Sequence, residues 1–107
     1  MTVFHVSEAQ ADLAALQDYM LAKWGSALCD QALEEVYDQM DALDQGKLNG
    51  VPVVELIELG IDGYLMTQTS HHRIIYKQVG GNTYVYIVAG QRQDFLQVLE
   101  TRLMQMR

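Results

Sequence analysis

This chain is short of positive charge. Seven Lys and Arg face fourteen Asp and Glu, a formal net charge of −7. A general nucleic-acid-binding surface is excluded on that balance. A single cysteine allows no internal disulfide, and alone it builds no structural zinc site. No apolar run approaches the roughly 18 residues that a membrane span requires, and no charged-then-apolar leader is visible. The expectation is a soluble, cytoplasmic protein with no membrane partner. Internal repeats and low-complexity stretches are absent from the sequence.

What is present is ordinary globular composition: half of the 107 residues are hydrophobic and a fifth are charged. That length reads as one domain, 1–107, able to bury roughly 65% of its unfolded surface without staples. The charge is unevenly spread. Residues 1–70 hold twelve acids and two bases (Lys23 and Lys47), whereas residues 71–107 hold five bases and two acids. Two readings fit: a local positive site on an acidic body, or acidic helices that keep a small protein soluble.

The hydrophobic pattern predicts the order β-α-α-β-β-β-α. Thr2–Val6 reads as a strand, and Ser7 with Gln10 as a capping box opening a helix. Ala9, Leu13, Leu16, Met20 and Trp24 share one helical face. Gly25 ends that helix and Ser26 caps the next, whose apolar positions are Leu28, Ala32, Val36, Met40 and Leu43. Its other side carries Asp30, Glu34, Asp38 and Asp41. After Pro52 the period changes. Val53–Leu59, Tyr64–Thr69, His72–Gln78 and Thr83–Ala89 read as strands, the last two joined in a hairpin through Gly80, Gly81 and Asn82. Gln93–Met106 reads as the last helix, with Asp94 in its first turn and Arg102 and Arg107 near its end, matching the macrodipole. The fold class is α+β: a small, mainly antiparallel sheet with a helical hairpin and a C-terminal helix packed on it.

With all helices on one face, the other face stays open. Residues alternate across a strand, so Arg73, Ile75 and Lys77 point away from His72, Ile74 and Tyr76. Arg73 and Lys77 then lie on the open side, and Arg92, after the last strand, reaches the same rim. These three cations form a candidate site for phosphate or an acidic partner segment. The competing reading pairs Arg73 and Lys77 with acids on neighbouring strands.

Nearly the whole chain resembles the RelE/ParE superfamily of toxins from type II toxin–antitoxin modules, the plasmid stabilisation proteins. The resemblance rests on Ala11-Asp12-Leu13 and Tyr19 in the first helix, and on Gly25 and Ala27 at the helical junction. It rests further on His72-Arg73-Ile74-Ile75-Tyr76 in a central strand and on Gly90-Gln91-Arg92-Gln93-Asp94-Phe95 after the last strand. The resemblance implies a growth-inhibiting toxin silenced by a cognate antitoxin, acting without a cofactor, as a possible homodimer or toxin–antitoxin hetero-oligomer. ParE-like members inhibit DNA gyrase and are not enzymes. RelE-like members are ribosome-dependent endoribonucleases that cut mRNA, and some relatives are degenerate and inactive.

In the RelE-like case the family's two arginines fall on Arg73 and Arg92, which would then be catalytic, stabilising the charge that develops at the scissile phosphate. The tyrosine of the RelE-like last helix falls near Val98, which has no hydroxyl, and the lysine-rich strand falls on Tyr64–Thr69, which has no base. Cleavage also needs a proton acceptor and a proton donor. His71, His72 and Tyr76 are available, but nothing singles them out. These departures favour the ParE-like reading. Two others run against it: Gly90-Gln91 stands where ParE-like members often carry histidine, and Tyr64 where they often carry arginine before the central hairpin.

The remaining conspicuous residues take plain readings. His71 and His72 are adjacent on a strand and point to opposite faces, so they make no joint metal site. His72 reads as a core-edge packing residue and Cys29 as a buried filler. Tyr64, Tyr84 and Tyr86 read as cross-strand packing rather than a platform for bases. Grooves between the hairpin and the sheet would accept an antitoxin helix or strand, and Thr2–Val6 or the strand near Val53 would offer an open edge.

Overall fold

The computed structural model describes residues 2–91 and 93–105. In chain order the elements are β1 (Val3–His5), α1 (Ser7–Trp24), α2 (Ser26–Asp44), β2 (Val51–Pro52), α3 (Val54–Glu58), β3 (Leu65–Gln68), β4 (His72–Val79), β5 (Asn82–Gly90) and α4 (Phe95–Gln105). The five strands form one sheet in the order β1-β5-β4-β3-β2. Only β1 and β5 run parallel; the other neighbours are antiparallel. The predicted α+β class and mainly antiparallel sheet are therefore present.

Several local expectations change. Val53–Leu59 is not a strand: Val51–Pro52 pairs with β3, and the chain then turns through the short helix α3. The apolar residues there satisfy either period, and the edge position beside Pro52 leaves the following backbone free to coil. The capping expectations at Ser7 and Ser26 also fail. Both are the first helical residues, preceded by Val6 and Gly25, and neither helix carries a side-chain cap. Gln10 instead donates its amide to the His5 carbonyl at 3.3 Å. Gly25, at φ 85°, supplies the left-handed backbone that breaks α1 from α2.

The central hairpin is as expected. Val79 pairs with Asn82, and Gly80 and Gly81 sit at φ 60° and 82°, the positive values that a tight two-residue turn requires. Further along, Ile75 faces Ile87 and Tyr76 faces Val85, so Tyr86 is an extra residue in β5. This bulge reverses the alternation. Tyr86 and Ile87 consequently pack on one face while Val85 and Val88 pack on the other.

Helices cover both faces of the sheet. The α1–α2 hairpin buries Ala9, Leu13, Val36 and Met40 against Ile74, Val85 and Val88. On the opposite face, α3 and α4 bury Leu56, Phe95 and Leu99 against Ile75, Ile87 and Ala89. The expectation of a single covered face is therefore overturned. Ile75 and Ile87 are apolar on the second face too, and each such side chain gains about 1.5–3 kcal/mol when covered. Polar bonds fix the helical hairpin. Gln39 donates to Thr67 Oγ1 at 2.6 Å, and Gln78 donates to the Leu43 carbonyl at 3.0 Å at the end of α2.

Candidate functional site

The sequence points first to Arg73, Lys77 and Arg92. Arg73 and Lys77 do share a face of β4, but four residues of strand separate them, about 13 Å. Each is held against its own aromatic ring. The Arg73 guanidinium lies 4.8 Å from the centroid of Phe95, and the Lys77 ammonium 4.4 Å from that of Tyr64. Neither pairs with an acid among the described residues. Both are half-buried at the margins of the cluster formed with α3 and α4, rather than on an open sheet face. Arg73 Nε is buried with no hydrogen-bond partner among the described residues. Arg92 lies outside the described residues.

The other flagged side chains fall as follows. Cys29 is fully buried between α1 and α2. Tyr64 and Tyr86 meet edge to face at 5.2 Å, and Tyr84 stacks on Phe4 at 5.1 Å, so these rings pack across strands. Trp24 does not close the hairpin core. It stays 37% exposed and packs on His71 at 4.9 Å. Leu28, expected on the apolar stripe of α2, is 54% exposed, and Cys29 takes the inward place. Asp94 accepts from the Gln97 amide at 3.3 Å, a first-turn bond. Among the described residues no three His, Cys, Asp or Glu side chains are placed to hold a metal ion.

A larger concavity lies elsewhere among the described residues. A groove of about 1280 Å³ runs between α1 and α4 over the end of β5. Glu8, Ala11, Ala15 and Tyr19 line the α1 wall, Gln97 and Val98 the α4 wall, and Val88, Ala89 and His72 the floor. The α1 residues recur at three- and four-residue spacing, so they form one continuous helical face.

An ion pair joins the two walls. Arg102, read from the sequence as a macrodipole partner, is buried and bonds Asp12 Oδ1 at 2.5 Å. It also donates to the Tyr86 carbonyl. The other oxygen of Asp12 accepts from the Val88 amide at 3.0 Å. These bonds take the place of a missing strand. β1 pairs with β5 only over Thr83–Val85, so Tyr86–Gly90 is left as an edge. Gln93 completes the cover, its Oε1 accepting from the Gly90 amide at 2.6 Å. Sequence reasoning missed both groove and ion pair. Asp12 and Arg102 are 90 residues apart, and no local pattern links them.

At the far end of the groove His72 is 2% exposed, and its Nδ1 has no partner among the described residues. Burial lowers its pKa, the neighbouring His71 lowers it further, and Glu35 opposes both. His72 therefore stays neutral at pH 7. Glu35 accepts from both the amide and the hydroxyl of Ser70, at 2.7 and 2.6 Å, and those bonds hold its carboxyl below the usual value. Tyr76 is fully buried; burial raises its pKa, while its hydroxyl accepts from the Gly50 amide at 2.8 Å. Ser70, whose hydroxyl is held by the Glu35 carboxylate, also lines the groove.

Comparison with known proteins adds two findings. A family model described as the ParE toxin of the type II toxin–antitoxin system parDE matches residues 6–95. A solved structure titled the chromosomal ParDE toxin–antitoxin system from P. aeruginosa superposes with a TM-score of 0.68 at 17% identity, covering 84% of this chain and 95% of that one. No curated protein matches the sequence significantly.

Proposed function

We propose that this chain, which belongs to the ParE toxin family of type II toxin–antitoxin systems, arrests growth by inhibiting DNA gyrase and is silenced by a cognate antitoxin. The observation that carries this is the family match, which spans most of the chain, from the first helix to the start of the last. The site agrees with it. A toxin acting through protein contact needs surface, and the long groove beside α1 supplies one. Val98 stands on the groove wall where a RelE-like nuclease would carry its tyrosine. The strand before β4 has no lysine or arginine. Arg73, Lys77 and Arg92 then serve target binding rather than phosphate transfer. Residues 1–107 act as one toxin domain in the cytoplasm. No described helix is long and apolar enough to cross a membrane.

The test is induction of the chain alone in a bacterium, following labelled thymidine and labelled methionine in one culture. DNA synthesis should fall first, and co-expression of the small protein encoded beside the gene should restore growth. If protein synthesis falls first, the chain is an mRNA endoribonuclease and the gyrase reading is wrong. If folded protein accumulates and neither rate changes, the chain is an inactive relative.

A further inference from the structure

The second face of the sheet holds a smaller cavity. There α3 and α4 converge on Ile75 and Ile87, and the side chains between them leave a space of about 90 Å³. Buried Ile75 and Leu99 lie at its back, and half-buried Ile61, Tyr64, Tyr86 and Leu103 at its mouth. Arg102 also lines it, but its guanidinium is already committed to Asp12 and the Tyr86 carbonyl. A water held there would need two to four polar partners, whereas this lining is aliphatic and aromatic. A cavity of about 150 Å³ with such walls takes benzene. This one is smaller, and a branched aliphatic side chain matches it better than a ring.

What surrounds the mouth points to a protein. Lys77 lays its ammonium over Tyr64 at 4.4 Å, and it pairs with no acid among the described residues. Its strand partner Tyr84 stacks on Phe4 at 5.1 Å, and Phe4 is 44% exposed. Tyr64 in turn meets Tyr86 edge to face. The rings therefore continue from the mouth toward the β1 edge. A pocket for one anchoring side chain, ringed by tyrosines, has the make-up of an interface hot spot. A free molecule small enough for the cavity would leave this surrounding surface uncovered. Charge narrows the partner further. The chain as a whole carries −7 and repels acidic partners, but beside the mouth the unpaired Lys77 favours a carboxylate.

We propose that this socket receives a valine-, leucine- or isoleucine-sized side chain of the target protein, and that a carboxylate beside that anchor meets Lys77. This rests on the gyrase reading given above.

The experiment uses the full chain and two probes: dissolved xenon, followed on isoleucine and leucine methyl resonances, and purified DNA gyrase, followed calorimetrically. Xenon should shift the Ile75 and Leu99 methyls of the parent chain and not those of Ile61→Trp, whose indole plugs the mouth. Gyrase should bind Ile61→Trp and Leu103→Trp, plugged from opposite lips, roughly tenfold or more weakly than the parent, with circular dichroism spectra unchanged. Lys77→Gln, which needs no repacking, carries the test if a plugged variant does not fold. It should weaken binding about three- to tenfold, chiefly at low salt. Gln31→Trp, at an exposed position of α2 on the opposite face of the sheet, should bind as the parent does. If xenon leaves the methyls unmoved, the socket is closed and the proposal is wrong whatever gyrase does. If gyrase binds the plugged variants and Lys77→Gln as it binds the parent, the contact lies elsewhere; the socket proposal fails and the gyrase reading survives. If those variants lose only the product of the neighbouring reading frame, the socket serves the antitoxin and the proposal is again wrong. Should gyrase not bind the parent chain at all, the gyrase reading fails and the socket proposal with it.

Discussion

The ion pair between Asp12 and Arg102 predicts an asymmetry that a denaturation experiment can measure. Arg102 has a side chain 8% exposed, and that of Asp12 is 20% exposed. Replacing Asp12 with Ala leaves a buried guanidinium with only the Tyr86 carbonyl, and it strips the Val88 amide of its acceptor. Removing one member of a buried pair costs about 3–5 kcal/mol. The orphaned amide belongs to the same network, so the two losses do not simply add. The expected cost is about 4 kcal/mol, a large share of the roughly 5–15 kcal/mol that holds a small domain folded. Arg102→Met differs. It keeps the stem volume, and it leaves an aspartate that water can reach and that still accepts from Val88. That change should cost only about 1–2 kcal/mol. Urea unfolding at pH 7, followed by circular dichroism with the slope checked for constancy, measures both. If Arg102→Met costs as much as Asp12→Ala, the aspartate is not what satisfies the β5 edge, and the account of that edge is wrong.

Other perturbations follow from the same structure. A Cβ on Gly50 would stand 2.5 Å from the Tyr76 hydroxyl and 2.7 Å from the Met66 carbonyl. Gly50→Ala should therefore lower stability by about 1–3 kcal/mol, and an unchanged urea midpoint would contradict that packing. His72 and His5 both have pKa values lowered by burial, so the unfolded chain binds more protons. Their contribution is complete above about pH 6.5 and is lost as pH falls from there toward the depressed native values. Unfolding measured between pH 7.5 and 5.5 should show this decline, and His72→Gln should flatten it. Glu35 behaves as a carboxylate with a lowered pKa: it stabilises above its usual value of about 4.5 and ceases to as pH falls below it. Ser70→Ala should therefore reduce the loss seen at low pH. Arg73→Ala, which removes the cation over Phe95, should leave the fold intact, costing about 1 kcal/mol or less. If its toxicity when induced alone equals that of the parent chain, Arg73 has no part in target binding.

Much of this fold is written in local pattern. The step of three and four residues through Ala9, Leu13, Leu16 and Met20 sets the buried face of α1, and Val36, Met40 and Leu43 do the same for α2. Gly80 and Gly81 determine the central hairpin, because only a residue without Cβ takes both positive φ values at little cost. These features depend on neighbours in sequence, and sequence reports neighbours well. The resemblance carried by the HRIIY strand and the GQRQD turn likewise pointed to the family without coordinates. What local pattern could not decide was which face each helix covers. An amphipathic α4 fits either side of the sheet. It settles opposite the hairpin because Ile75, Ile87 and Ala89 present a second apolar surface there, which the bulge at Tyr86 completes. The single-face assumption therefore placed Arg73 and Lys77 on an open surface that does not exist. The groove was invisible for a related reason. Its two walls and its floor come from α1, α4, β4 and β5, and Asp12 meets Arg102 only because the sheet brings α1 and α4 together at its uncovered edge. Periodicity and turn chemistry are local properties of the chain, whereas a docking surface exists only after distant segments have been packed side by side.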